Sequence, residues 1–158
     1  MRSESSGTEL IERYLLARGR RYFRGHHDGE YFFILTVGQE RLHVHLEISP
    51  ADRHTLTVRT TPAYFFPAAD RARLQEFADN WNGSDRRATA MVFESCDQTR
   101  IGVAAEASYS LAPDVPFGEF ADMADDTISS AVQLFTEMTA AAAPKPAGTL
   151  GTWLRDAG

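Results

Sequence analysis

"RLHVHLEI", Arg41 to Ile48, alternates without a break. Leu42, Val44, Leu46 and Ile48 fall on one side of an extended chain; Arg41, His43, His45 and Glu47 fall on the other. Successive side chains of a strand point to opposite faces, so this pattern predicts a sheet with one buried and one wet face. Thr55 to Thr60 repeats it, with Leu56 and Val58 inward and Thr55, Thr57 and Arg59 outward. A sheet wetted on one side needs cover on the other, which directs attention to the helices.

Three amphipathic stretches supply that cover. Leu10, Ile11, Tyr14 and Leu15 share one face of a helix over about Thr8 to Ala17, with Ser6 and Glu9 spaced as a capping box and Gly19 as the stop. Leu74, Phe77, Ala78 and Trp81 form the stripe of a second helix, about Ala68 to Asn82. It ends in "FADNWN", Phe77 to Asn82, followed by Gly83. Asn and Gly accept the left-handed conformation that closes helices, so the motif reads as a stop behind a buried Trp81 rather than a recognition surface built on Asn80 and Trp81. The third helix spans about Pro116 to Ala140, with Phe117, Phe120, Ala124, Ile128, Ala131, Phe135 and Met138 in register.

The remaining segments read as strands. A short one lies near Arg21 to Gly25, followed by an Asp28-Gly29 hairpin turn. Others run from Glu30 to Val37, Arg87 to Glu94 and Arg100 to Tyr109. Gly38-Gln39 turns the chain between the Glu30 and Arg41 strands, and Pro62 and Pro67 bracket "AYFF" and end the first run of strands. The order is α-β-β-β(-β)-α-β-β-α. It predicts a two-layer α+β fold, a mostly antiparallel sheet with helices on one face. Residues 1–140 read as one domain, and 141–158, rich in Ala, Pro and Gly, as a tail that only Trp153 and Leu154 could anchor.

Composition narrows the function classes. The 158 residues suit one domain, able to bury roughly 68–70% of its unfolded surface. A net charge of -6 argues against wholesale nucleic-acid binding, despite Arg18, Arg20, Arg21 and Arg24 around Tyr22 and Phe23. Fifteen arginines against one lysine look like the bias of a GC-rich bacterial genome. The single cysteine, Cys96, excludes an internal disulfide and a multi-cysteine zinc site, and its acidic neighbour Asp97 disfavours a reactive thiolate. No apolar signal core or membrane-length run is present, so a cytoplasmic location is expected.

The chemical candidates are few. His43, His45 and Glu47 lie on one strand face at chelating spacing, without a partner motif, and read as solvated. His26 and His27 read as hairpin polarity and His54 as a loop residue. Glu119, Asp122, Asp125 and Asp126 suit the positive end of the third helix better than a catalytic pair. No catalytic residue, metal ligand or cofactor is expected.

"RLQEFADNWN" followed by the strand "RRATAMVFE", and "IGVAAEASYSLAPDVPFGEFADMADDTISSAVQLFTEM", Ile101 to Met138, resemble the YbjN-domain family of bacterial sensory transduction regulators. The resemblance covers about Thr8 to Thr139. It implies a fold like that of type III secretion chaperones, small α+β proteins that commonly dimerise and bind extended segments of other proteins. The short first strand is extra to that pattern. The family has no agreed catalytic residues, so the resemblance implies a non-enzymatic, chaperone-like or regulatory module, with a protein partner and a homodimer. Tyr64, Phe65 and Phe66 are the expected partner-binding residues, because adjacent aromatics in an extended segment cannot all face the core. The alternative is a small-molecule or enzymatic domain whose pocket gathers residues scattered in sequence.

Overall fold

Alternation along the strands sorts the side chains as the sequence requires. Leu42, Val44, Leu46 and Ile48 are buried, as are Leu56 and Val58, while His43 is exposed. The structure, a computed structural model, describes residues 7–141. The elements are α1 (Gly7–Ala17), β1 (Phe23–Arg24), β2 (Glu30–Val37), β3 (Glu40–Ile48), β4 (Thr55–Pro62), β5 (Phe66–Pro67), a 3₁₀ turn (Ala68–Asp70), α2 (Arg71–Asn82), β6 (Thr89–Glu94), β7 (Arg100–Ser110) and α3 (Phe117–Ala141). Ser6 of the expected capping box and the anchors Trp153 and Leu154 lie outside the described residues.

All seven strands join one antiparallel sheet. Strand β7 is the hub. Ala105 pairs with both Thr60 and Ala90, and Ile101 with both Phe66 and Glu94, so β4 and β5 share one side of β7 and β6 takes the other. The spatial order is therefore β1-β2-β3, then β4 with β5, then β7 and β6.

The helices cover the inward face as two clusters joined by α3. Helix α1 and the first half of α3 pack on β2, β3 and β4 through Ile11, Leu15, Phe33, Val44, Leu46 and Phe120. Helix α2 and the second half of α3 pack on β6 and β7 through Leu74, Trp81, Ile101, Leu134 and Met138. A polar latch holds α1 to α3: Asp125 accepts hydrogen bonds from Tyr14 Oη at 2.6 Å and Arg18 Nη2 at 2.5 Å. Glu12 ties α1 to the first strands, accepting from Tyr31 Oη and Arg24 Nη2.

Two expectations need correction. Pro62 and Pro67 do not end the sheet run: Pro62 pairs with Leu42 inside β4, and Phe66–Pro67 return to pair with Ile101 and Arg100 of β7. The chain steps off β7 and back on, and proline is tolerated where no ladder donor is needed. Nor does α2 stop through a left-handed residue, since Gly83 has φ -76° and stays right-handed.

Side-chain bonding joins the end of α2 to β6. Trp81 is 3% exposed, and its Nε1 donates to the Ala88 carbonyl at 2.8 Å. Asn82 bonds Ala90 twice, donating from Nδ2 to its carbonyl and accepting its N–H at Oδ1. The amide side chain thus imitates a neighbouring strand along the outer edge of β6. Ala88 N–H is taken by Ser130 Oγ, so β6 begins two residues later than the pattern from Arg87 predicts.

Candidate functional site: the uncovered sheet face and its open edge

The face opposite the helices carries polar ladders across its centre. Arg59 faces Glu106 at 3.5 Å, and Thr57 meets Ser108 at 2.9 Å. Both ends of the face are different.

At the β1–β2 end, Phe23 sits directly opposite Phe32, and Ile34 follows two residues on. These three are 65%, 37% and 48% exposed. Strand β1 is only two residues long and pairs with Tyr31 and Phe32 alone. From Phe33 to Val37, β2 has no strand on its outer side among the described residues. Unpaired strand edges and contiguous exposed apolar groups are where other chains bind. The sequence signal is "YFFIL", an apolar run on both faces of a strand whose neighbours alternate cleanly. Such a run cannot by itself say which residues face out.

At the other end, Phe65 is 45% exposed and meets Phe93 edge-to-face at 6.4 Å. Phe93 lies across Gly102 of β7, where a Cβ would collide with the ring, and the Arg59 guanidinium stands 5.0 Å from the ring centre. Tyr64 and Phe66 turn the other way. They meet each other at 5.3 Å; Phe66 packs on the α2–β7 cluster, and Tyr64 Oη donates to Glu40. Burial, then the Glu40 charge, pushes the Tyr64 hydroxyl up to about 12. Of the three aromatics expected to bind a partner, only Phe65 faces out with the sheet.

The turn before β2 carries a charged network. Glu30 and Glu47 are directly opposite on β2 and β3. His27 Nε2 is 2.8 Å from Glu47 Oε2 and 3.8 Å from Glu30 Oε1, while His45 Nε2 is 3.0 Å from Glu30 Oε2. The Asp28 carbonyl, then the Glu47 carboxylate, hold His27 above its usual value. Burial works against the Glu30 carboxylate, but hydrogen bonds from His26 N–H and His45 outweigh it and hold Glu30 low. His43 does not join. The β3 face read as solvated therefore splits: His43 is exposed, His45 and Glu47 enter the network through different partners, and His27 and Glu30 complete it. Residues i and i+2 of a strand stand about 7 Å apart, farther than cross-strand neighbours, and no single-strand reading supplies the register.

The other sequence candidates are occupied structurally. Asp125 is the α1 latch, and Asp126 approaches Arg87 at 3.8 Å, so these two acids of α3 go to separate partners. Arg18 bonds Asp125, Arg24 bonds Glu12, and Arg20 lies 5.1 Å from the Phe33 ring centre, which scatters the basic cluster. Cys96 is exposed in the β6–β7 turn. A cleft of about 290 Å³ lies between α1, Ile48, the Asp52–His54 turn and Leu111. Its carboxylate, Asp52, accepts hydrogen bonds from His54 N–H and Thr55 within its own turn, which hold it low.

Among the described residues, a one-sided antiparallel sheet with two short helices and one long helix beneath it defines a small two-layer α+β class of domains. Within that class the fold is that of YbjN. A crystal structure of YbjN from E. coli, described as "a putative transcription regulator", superposes with a TM-score of 0.63 over 84% of this chain and 90% of that one, at 12% identity. No family model and no curated protein matches the sequence.

Proposed function

We propose that this is a cytoplasmic, non-enzymatic protein-binding module that takes an extended polypeptide segment on its uncovered sheet face. The observation that carries the reading is the outer edge of β2, which no strand among the described residues pairs from Phe33 to Val37, beside exposed Phe23, Phe32 and Ile34. A segment added to that edge gains main-chain hydrogen bonds, and alternate side chains reach the apolar trio, the strand-addition mode of recognition. Phe65 with Phe93 offers a second aromatic anchor on the same face. A regulatory role is in keeping with the description of the YbjN structure, and a net charge of -6 favours regulation through protein contact over direct DNA binding.

The test is capture of partners from the source cell by immobilised protein, compared with Ile34→Lys and Phe65→Ser. The reading expects both variants to keep the wild-type melting temperature and Ile34→Lys to lose the captured protein. Unchanged capture by both folded variants contradicts it. A second copy of the chain is the competing occupant of the β2 edge, and homodimerisation is part of the proposal. Light scattering at micromolar concentration should give twice the 17.6 kDa chain mass, and a single-chain mass refutes the dimer.

A further inference from the structure

The two glutamates that face each other across β2 and β3 need a positive centre between them. Like charges directly opposite in a sheet are destabilising, and Glu30 and Glu47 occupy such a pair. The group placed against both is His27, and the protons on its ring follow from its surroundings. Nδ1 is 2.9 Å from the Asp28 carbonyl oxygen, which can only accept, so Nδ1 carries a hydrogen. In the neutral ring Nε2 would then aim a lone pair at Glu47 Oε2, 2.8 Å away, and at Glu30 Oε1 beyond it. That arrangement is repulsive. A proton on Nε2 resolves it, and so does a metal cation that takes the nitrogen and both carboxylates.

The geometry points to a divalent transition-metal site, of the zinc type, formed by His27 Nε2, Glu30 and Glu47. Three features support a metal as well as a proton. One ligand atom from each residue lies within 4.8 Å of the others. Metal–ligand bonds of about 2.0–2.2 Å place donor atoms roughly 3–4 Å apart, so small side-chain rotations suffice. The Nδ1–H to carbonyl bond is the outer contact that orients a metal-ligating histidine, and His45 on the second oxygen of Glu30 does the same for that carboxylate. Glu30 and Glu47 stand on paired strands, and Gly29, with φ +93°, makes the turn that returns His27 over them. One imidazole with two carboxylates suits zinc better than calcium, which takes six to eight oxygens. Such an ion would pin the turn that begins β2, the strand whose outer edge no strand among the described residues pairs from Phe33 to Val37, and leave a coordination position for water or a partner's side chain.

Isothermal titration of tag-free, chelator-treated protein with Zn²⁺ at pH 7.5 tests the site. Wild type and Cys96→Ser should bind one ion per chain. His27→Gln and Glu47→Gln should each weaken binding at least tenfold, with folding verified by circular dichroism. His43→Gln, an exposed histidine of β3 outside the network, should bind as wild type does, and Ca²⁺ should give no heat. Melting should follow suit: Zn²⁺ should raise the transition of wild type and His43→Gln but not of His27→Gln. No zinc binding to wild type, or binding unchanged in His27→Gln and Glu47→Gln, overturns the proposal and leaves His27 as a protonated bridge between two glutamates.

Discussion

At the start of β6 the outer edge is finished. Asn82 takes both backbone groups of Ala90, Trp81 and Ser130 take those of Ala88, and α2 packs alongside. Along β2, among the described residues, no strand pairs on the outer side from Phe33 to Val37, and that edge is bordered by exposed Phe32 and Ile34. Both are terminal edges of one sheet, and both face the same risk of unwanted pairing. The difference teaches that "WN" is edge chemistry, carried on a helix end, and that no comparable device protects β2 among the described residues. An edge left open beside apolar groups is where the proposed partner segment would pair.

The largest expected effect lies at the closed edge. Trp81→Ala removes a buried aromatic and strands the Ala88 carbonyl, and should cost about 3–5 kcal/mol in denaturant melts. A loss below about 1 kcal/mol would show that Trp81 does not anchor α2 to β6. Asn82→Ala should come next, at about 1–3 kcal/mol, because it leaves two half-buried backbone groups of Ala90 without their partner. If the variant melts with wild type, the strand-mimicking role of Asn82 is wrong.

A pH effect sharpens the contrast from the helix layer beneath the open edge. Burial raises the Asp125 carboxyl, but hydrogen bonds from Arg18 and Tyr14 outweigh it, so its folded pKa lies below the unfolded value of about 3.9. The latch therefore contributes in full above that value and is lost as pH falls through the depressed folded pKa. Wild type should exceed Asp125→Asn in denaturant midpoint at pH 7, and the gap should shrink as pH approaches about 2. A gap independent of pH would remove the carboxylate from the account. The smallest stability change is expected at the open edge. Ile34→Lys should shift unfolding by no more than about 0.5 kcal/mol, the usual range for surface substitutions. A larger loss would mean that Ile34 is packed within the chain.

The closed edge and the open edge were unequally legible in the sequence. The strand alternation and the three helical stripes, which depend only on local period, gave the layers, the antiparallel sheet and the burial of Trp81. Asn82 could be recognised as a helix terminus but not as a partner of Ala90, because that bond depends on how α2 lies against β6. The Tyr64–Phe66 segment told that an aromatic must face out, and the structure turns Phe65 outward; the two-residue pairing of Phe66–Pro67 is too short for any period to show. On the other side, "YFFIL" carried the outward Phe32 and Ile34 in plain view, hidden by a run in which every position is apolar. His27 and Glu30 escaped because their partners are on β3, across a register that only the folded sheet defines.

The central claim is that the β2 edge, and not the helix face, receives a partner. A photo-crosslinking residue placed at Ile34 in the source cell tests it most directly, with the same residue at Glu76, exposed on α2, as the control. The account predicts a covalent adduct of higher mass from position 34 and none from position 76. Adducts confined to position 76, or none at position 34, would contradict it.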